Sequence, residues 1–147
     1  MAIFQSETAK RRETPPTGYT SGSVQCAIFT YTFNANFTAA TDVLEIGFLP
    51  ANTIPVRARL LPEGLTAANT ADVGFMSGEP GDPDPTRTSG DELFDGVAAV
   101  ATEAPAAAID LLAVSRDEKH RSIGIKMSED ITAGAAKKVT LILEYVH

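Results

Sequence analysis

Residues 42–61 have the sequence DVLEIGFLPANTIPVRARLL, in which two apolar runs are separated at Pro50. In the first run Leu44, Ile46 and Phe48 occupy alternate positions, so one side of an extended segment is fully apolar. This period of two is the pattern of a half-buried β-strand. Because proline has no N–H to donate to a neighbouring strand, the chain must turn or cross to another sheet at Pro50.

The second run alternates in the same way. Val56, Ala58 and Leu60 share one side of it, and Arg57 and Arg59 share the other. We therefore predict a second strand whose apolar side includes Val56. Two strands joined by a proline-containing turn predict a pair of sheets that share one core.

Residues 23–33, SVQCAIFTYTF, are rich in β-branched and aromatic side chains, which favour strands. Both faces of this run are largely apolar, and this predicts a strand that is covered on both sides. Cys26 alternates with Val24 and Ile28, so we interpret it as a small buried hydrophobic residue.

Residues 138–146, KVTLILEYV, show the clearest alternation in the chain, and the glycines of residues 71–78 indicate a bulge or a close backbone approach. With the remaining short runs, the sequence predicts an all-β fold of about seven or eight strands, an antiparallel β-sandwich or a jelly-roll-like fold. We expect residues 23–147 to form this single domain and residues 1–22 to form an extended N-terminal arm.

The charge balance excludes a general nucleic-acid surface. The 147 residues include 12 Lys and Arg against 19 Asp and Glu, which gives a net charge of -7. Affinity for nucleic acid comes mainly from cations that neutralise phosphates. Neither a membrane-spanning run nor a signal-peptide pattern is found, so we expect no membrane partner and synthesis in the cytoplasm.

The N-terminal arm carries the residues that we expect to contact a partner. Its basic cluster contrasts with residues 42–110, which hold twelve acidic and three basic side chains, so arm and body could pair between copies. The alternative is a flexible tail whose charges only keep it in solution. The candidate partner-binding residues are Ile3, Phe4, Lys10, Arg11, Arg12 and Tyr19.

No catalytic or cofactor-binding pattern is found in the sequence. His120 lies in a charged run and His147 is the last residue, so neither has the fixed neighbour that a catalytic base needs. One cysteine and two histidines cannot supply a zinc site, and the acidic stretch 79–95 matches no calcium-binding loop. We therefore predict no enzymatic activity, no cofactor and no metal, and an exposed, solubilising acidic loop.

Five blocks of the sequence resemble small structural proteins encoded among the head genes of tailed bacteriophages. Similar blocks occur in the same order in that group, and the resemblance extends over about residues 30–145. The N-terminal arm and the proline-rich acidic loop depart from the pattern. The blocks are Asp42–Ala51, Asp72–Gly78, Arg121–Lys126, Thr132–Gly134 and Val139–Tyr145.

The resemblance implies a capsid decoration, or cement, protein. Such proteins are β-sandwiches on the outer surface of the virion, commonly homotrimers, that bridge neighbouring subunits of the major capsid protein. Many weak contacts add up in such an assembly, so no reacting group is needed. The alternative is a carbohydrate- or receptor-binding β-sandwich of a phage tail or fibre. That function needs exposed aromatic rings, and only Tyr19 and Phe37 fall in predicted loops.

Overall fold

The computed structural model describes residues 1–13, 23–100, 104–106 and 111–147. Nine β-strands lie within these ranges, and Leu111 and Leu112 have helical geometry. No helix in the same ranges has the length and apolarity needed to cross a bilayer. The strands are β1 (Ile3–Gln5), β2 (Val24–Thr32), β3 (Val43–Leu49), β4 (Ile54–Glu63), β5 (Thr70–Phe75), β6 (Phe94–Ala98), β7 (Ala104–Pro105), β8 (Arg121–Met127) and β9 (Lys138–Val146).

The strands form two sheets around one apolar core, which confirms the predicted all-β sandwich. Sheet A has the order β1-β3-β8-β5-β6, and sheet B has the order β2-β9-β4-β7. Neighbouring strands are antiparallel except β1 and β3, which are parallel. The fully buried large side chains of the core include Leu44, Ile46, Ile123 and Ile125 from sheet A and Leu60, Leu141, Leu143 and Tyr145 from sheet B.

The chain crosses from one sheet to the other at Pro50, as the sequence predicts. Strand β3 belongs to sheet A and β4 to sheet B, and the four residues between them form the crossing. The Thr53 hydroxyl donates to the Pro50 carbonyl at 2.5 Å. Asn52 has a φ of 61°, a left-handed conformation that asparagine adopts more readily than most residues.

Strand β3 is buried on both sides, so the prediction of a half-buried strand is wrong. All seven of its residues are buried. A β-bulge between Glu45 and Gly47 also breaks the predicted alternation, because it shifts the following residues by one position. Phe48 is therefore not on the same side as Leu44. It pairs with Ser122 and its ring lies 5.0 Å from that of His120, outside the core.

Strand β2 is exposed on its outer side, so the prediction that it is covered on both sides is also wrong. Val24 is 58% exposed, Ile28 is 65% exposed and Cys26 is exposed rather than buried. Val56 of β4 is 45% exposed, because a second bulge between Pro55 and Arg57 turns it out of the predicted apolar side. The alternating pattern identifies these strands correctly. A local pattern does not show whether another segment of the chain covers their outer side.

Candidate assembly surfaces

The N-terminal segment is bound to the chain's own sheet A. Strand β1 pairs in parallel with β3, with Ile3 opposite Val43. Beyond the strand, the Ser6 N–H donates to the Glu45 carbonyl at 2.9 Å, and the Ser6 hydroxyl donates to the Ile46 carbonyl. The division of the chain into an arm of residues 1–22 and a domain of residues 23–147 stays a prediction.

Three of the candidate partner-binding residues, Ile3, Phe4 and Lys10, lie together beside the edge of the sandwich. Ile3 and Phe4 are half-buried, and the Phe4 ring packs 5.5 Å from the ring of Phe37 in the core. Together with Lys10 and Tyr31 they line an open groove of about 510 Å³ between the N-terminal segment and β2. Their side chains thus contribute to the chain's own packing as well as to a surface groove.

Arg11 and Arg12 do not line this groove, although Arg12 pairs with Glu7, which does. Arg12 and Lys10 both pair with Glu7, at 3.0 and 3.5 Å, and the hydrogen bond from Arg12 lowers the pKa of the Glu7 carboxyl. Arg11 lies 3.9 Å from Glu79 of the acidic loop. All of these charges are exposed. Tyr19 lies outside the described residues, and a partner-binding role for the whole set stays a prediction.

The most strongly buried charges of the described chain are those of Glu45 and Arg87, which form a bidentate ion pair. Their side chains are 0% and 2% exposed, and the Arg87 Nη2 and Nη1 atoms lie 2.9 and 3.1 Å from the two carboxylate oxygens. The Gln5 side-chain amide and the Gly81 N–H donate to the same carboxylate at 2.7 and 3.1 Å. Arg87 also donates to the Ser122 hydroxyl at 2.8 Å. One carboxylate therefore joins β1, β3 and the proline-rich loop, and Arg87 extends the network to β8.

The proline-rich loop that carries Arg87 covers the outer side of sheet A. The sequence predicts an exposed acidic loop here, and its acidic side chains are largely exposed, but Arg87 is buried beneath them. Two glycines of sheet A permit this close approach, and for Gly74 the sequence predicts it. A Cβ on Gly74 would lie 2.3 Å from the Gly90 carbonyl carbon, and a Cβ on Gly124 would lie 2.4 Å from the Ser89 hydroxyl.

Most of the outer side of sheet B is not covered by any described segment, and Leu111, Leu112 and Val114 lie beside Val56 at its β4 end. Its rows of outward side chains include Val24 and Ile28 of β2, Ile142 of β9 and Val56 of β4. The charged side chains of this face largely compensate one another, as in the 3.7 Å pairs of Arg57 with Glu144 and, at 3.6 Å, of Lys138 with Glu63. We call this surface the bare face. Exposed apolar side chains between paired charges on an uncovered sheet face can mark an interaction site.

His120, in the charged connection before β8, contacts Ala51 and Phe48 of the chain itself. His120 is exposed, and its Nδ1 atom accepts the Ala51 N–H at 3.0 Å while its ring packs on Phe48. Next to it, the Arg121 guanidinium lies 4.8 Å from the centre of the Phe75 ring, and burial lowers the pKa of Arg121.

Within the described ranges, no group of three metal-ligating side chains is arranged to hold a metal ion.

The comparison with solved structures decides what kind of protein this is. A chain of the capsid of Ralstonia phage GP4 superposes with a TM-score of 0.88 and is 36% identical in sequence. The match covers 99% of this chain and 98% of that one. The chain belongs to a family of phage capsid proteins.

A second phage capsid chain shares the fold of this capsid protein. It comes from the capsid asymmetric unit of cyanophage Pam1, with a TM-score of 0.59, 20% identity and coverage of 91% of both chains. No family model and no curated protein matches the sequence. The predicted relationship to phage head proteins is therefore confirmed at the level of a capsid protein, and a place in the virion follows from it.

Sequence reasoning missed the residues that give this capsid protein its two different faces. Nothing in the alternation of residues 42–49 singles out Glu45, and Arg87 lies in the segment predicted to be an exposed loop. A signal was present, because Arg87 is the one basic residue among the acidic side chains of residues 79–95. The bare face also had a signal, because residues 23–33 contain no charged residue and no proline.

Proposed function

We propose that this capsid protein is a decoration, or cement, protein that binds the outer surface of the shell. In this function it bridges neighbouring subunits of the major capsid protein and stabilises the assembled shell. The proposal includes synthesis in the cytoplasm of the bacterial host, and it keeps the homotrimer that the resemblance implies as a prediction.

The one-sided construction of the sandwich supports this proposal. The outer side of sheet A is closed by the chain's own loop and N-terminal segment, whereas the bare face of sheet B leaves Val24, Ile28 and Val56 exposed. A small domain with one uncovered side, on which apolar side chains are exposed between paired charges, is suited to attach to a surface that already exists. Because such a protein binds only the assembled state, it stabilises that state by mass action.

The carbohydrate- or receptor-binding alternative has less support. It needs aromatic rings exposed for stacking, and Phe37, one of the two predicted loop aromatics, is only 1% exposed. Phe29 and Phe33 are also buried, and Tyr31 is half-buried beside the groove.

Reconstitution on purified shells tests the proposal. Shells that lack this protein are mixed with the wild-type chain and imaged by cryo-electron microscopy, and their heat stability is measured. We expect added density on the outer surface and a higher disassembly temperature. Absence of density, or density on the inner surface, would reject the proposal.

A pair of variants tests the use of the bare face. Val56→Asp places a charge on this face, two strands away from β2, whereas Ala67→Asp places the same charge on an exposed loop. We expect the first variant to bind shells at least about tenfold more weakly and the second to bind like the wild type. Equal binding by both would exclude the bare face as the contact.

A further inference from the structure

The groove between the N-terminal segment and β2 lies where the two sheets end side by side. Strand β1 is the edge strand of sheet A, and β2 is the edge strand of sheet B. Residues 3–7 and Lys10 line one wall of the groove, and residues 30–32 and Asn34 line the other. Its volume of about 510 Å³ lies within the range of roughly 300–1,000 Å³ that is usual for ligand sites. The groove can therefore hold a short segment of chain but not a folded domain.

The wall formed by β1 presents unused backbone groups. The Ala2 carbonyl accepts a hydrogen bond from β3 at 3.4 Å, and the Ser6 N–H donates to the Glu45 carbonyl of β3 at 2.9 Å. Because the direction of hydrogen bonding alternates along a strand, the backbone groups of Ile3 and Gln5 point away from β3. Within the described ranges, no strand pairs with this outer edge of β1.

The wall formed by β2 also presents unused backbone groups. The Phe33 N–H, just beyond the strand, donates to the Lys137 carbonyl at 2.9 Å, so the odd-numbered residues of β2 bond to β9. The backbone groups of Thr30 and Thr32 therefore point away from β9. The Thr32 carbonyl accepts from the Asn34 N–H, and the other three groups have no backbone partner in the described part of the chain. Free edges of this kind are templates for an added strand.

Two aromatic side chains form the apolar part of the groove. Phe4 and Tyr31 are both half-buried and pack against the core of the sandwich. The Phe4 ring lies 5.5 Å from the ring of Phe37, and the Tyr31 ring lies 5.3 Å from the ring of Phe33. These contacts fix the two rings in place, so the groove offers a prepared apolar surface to a side chain that enters it.

The same groove has a positive charge beside it. Lys10 lines the groove, and Lys10 and Arg12 share the single carboxylate of Glu7 at 3.5 and 3.0 Å. One positive charge among these three side chains therefore remains unbalanced, on a chain whose net charge is -7. An acidic side chain on an incoming segment would complement it.

We propose that this groove receives an extended segment of a major capsid subunit, which lies along β1 as an added strand. An apolar side chain of the segment packs on Phe4 and Tyr31, and an acidic side chain pairs with Lys10. The groove is separate from the bare face, so one copy has two contacts for two capsid subunits, as bridging requires. This inference rests on the proposed function and names the partner segment that one of its contacts takes.

A second copy of this chain is a poorer occupant of the groove. Two copies with a net charge of -7 each repel one another. The acidic stretch 79–87 contains Pro80, Pro83 and Pro85, which have no N–H to donate to a neighbouring strand. Because the proposed occupant is a different protein, the groove contact is also compatible with the homotrimer that the resemblance implies.

A matched pair of charge reversals tests the role of Lys10. Lys10→Glu and Arg12→Glu change the net charge by the same amount and remove a cation from the same carboxylate, but only Lys10 lines the groove. Binding is measured by co-sedimentation with purified shells that lack this protein. We expect Lys10→Glu to bind at least about tenfold more weakly than Arg12→Glu. Equal affinities of the two variants would overturn the proposal.

A second pair of variants tests the added strand. Ile3→Pro removes an N–H that points into the groove and leaves the bonds to β3, whereas Ile3→Ala shortens the same side chain and keeps the N–H. We expect Ile3→Pro to bind the same shells at least about tenfold more weakly than Ile3→Ala. Equal binding by two folded variants would overturn the pairing along β1. The charge reversals and the cross-linking below do not require that Ile3→Pro folds.

Photo-cross-linking identifies the occupant of the groove. Tyr31 is replaced by p-benzoylphenylalanine, and the control carries the same group in place of Ala67 on an exposed loop. Each protein is irradiated on the same shells, and the products are mapped by mass spectrometry. We expect position 31, and not position 67, to join an extended segment of a major capsid subunit that contains an acidic residue.

The outcomes separate this inference from the proposed function. A link from position 31 to the same chain or to another copy, or no link from protein that is bound to shells, would overturn the groove contact and leave the cement function intact. Failure of the wild type to bind shells at all would overturn both.

Discussion

Removal of Arg87 should be among the more destabilising single changes in this protein. In Arg87→Ala the Glu45 carboxylate loses both guanidinium contacts, at 2.9 and 3.1 Å, and keeps the Gln5 amide and the Gly81 N–H. The carboxylate remains 0% exposed in the native geometry, so it becomes a buried charge without a counter-ion. Breaking a buried pair from one side costs about 3–5 kcal/mol. Because two of the four donors remain, we expect the free energy of unfolding to fall by about 3 kcal/mol, the lower end of this range.

Urea unfolding followed by far-ultraviolet circular dichroism measures this loss. With a slope of about 1.5–2 kcal/mol per molar urea, the midpoint should fall by about 1.5–2 M. The matched control is Arg57→Ala, which removes the same side chain from the exposed pair with Glu144, whose atoms lie 3.7 Å apart. We expect this control substitution to lower the free energy of unfolding by less than about 1 kcal/mol.

A double replacement separates the buried charge from the packing of the loop. In Glu45→Leu combined with Arg87→Met, both charges are replaced by apolar side chains of similar size, and this kind of exchange is often close to neutral. We expect the double variant to be more stable than Arg87→Ala. If Arg87→Ala costs no more than Arg57→Ala, the Glu45 carboxylate is not isolated from water and the reasoning is refuted.

Three further predictions concern the core, a tyrosine and the acidic loop. Gly47→Ala should cost about 1–3 kcal/mol in the same urea assay, because its Cβ would lie 2.6 Å from the Phe29 ring, and an unchanged midpoint would contradict this packing. Burial raises the pKa of Tyr145 to about 12, so spectrophotometric titration should show one tyrosine ionising last. The unfolded chain releases that proton first, near pH 10, so stability should fall between about pH 10 and 12 as pH rises; a flat profile would contradict the prediction. A chelator should leave the thermal midpoint unchanged, because Asp84 accepts from the Thr86 N–H and hydroxyl at 2.9 and 2.8 Å within its own loop, whereas a clear drop would indicate a bound cation.

The sequence alone determined the fold class and the main crossing of the chain. Residues 138–146 alternate with period two, and every second residue from Val139 to Tyr145 is fully buried in β9. Pro50 marks the point at which the chain leaves sheet A for sheet B. These features are local, because the pleat of a strand and the missing N–H of proline act at the residue itself.

Only the tertiary structure decided which sides of the strands are covered. The bulge at Glu45 and Gly47 changed the side on which Phe48 lies, and the loop carrying Arg87 closed the outer side of sheet A. Glu45 and Arg87 are 42 positions apart, so no local pattern links them. Strand periodicity shows which side chains share a face, but whether that face meets water depends on distant segments of the chain. The physical reason is that burial of a face depends on tertiary contacts between segments far apart in the sequence.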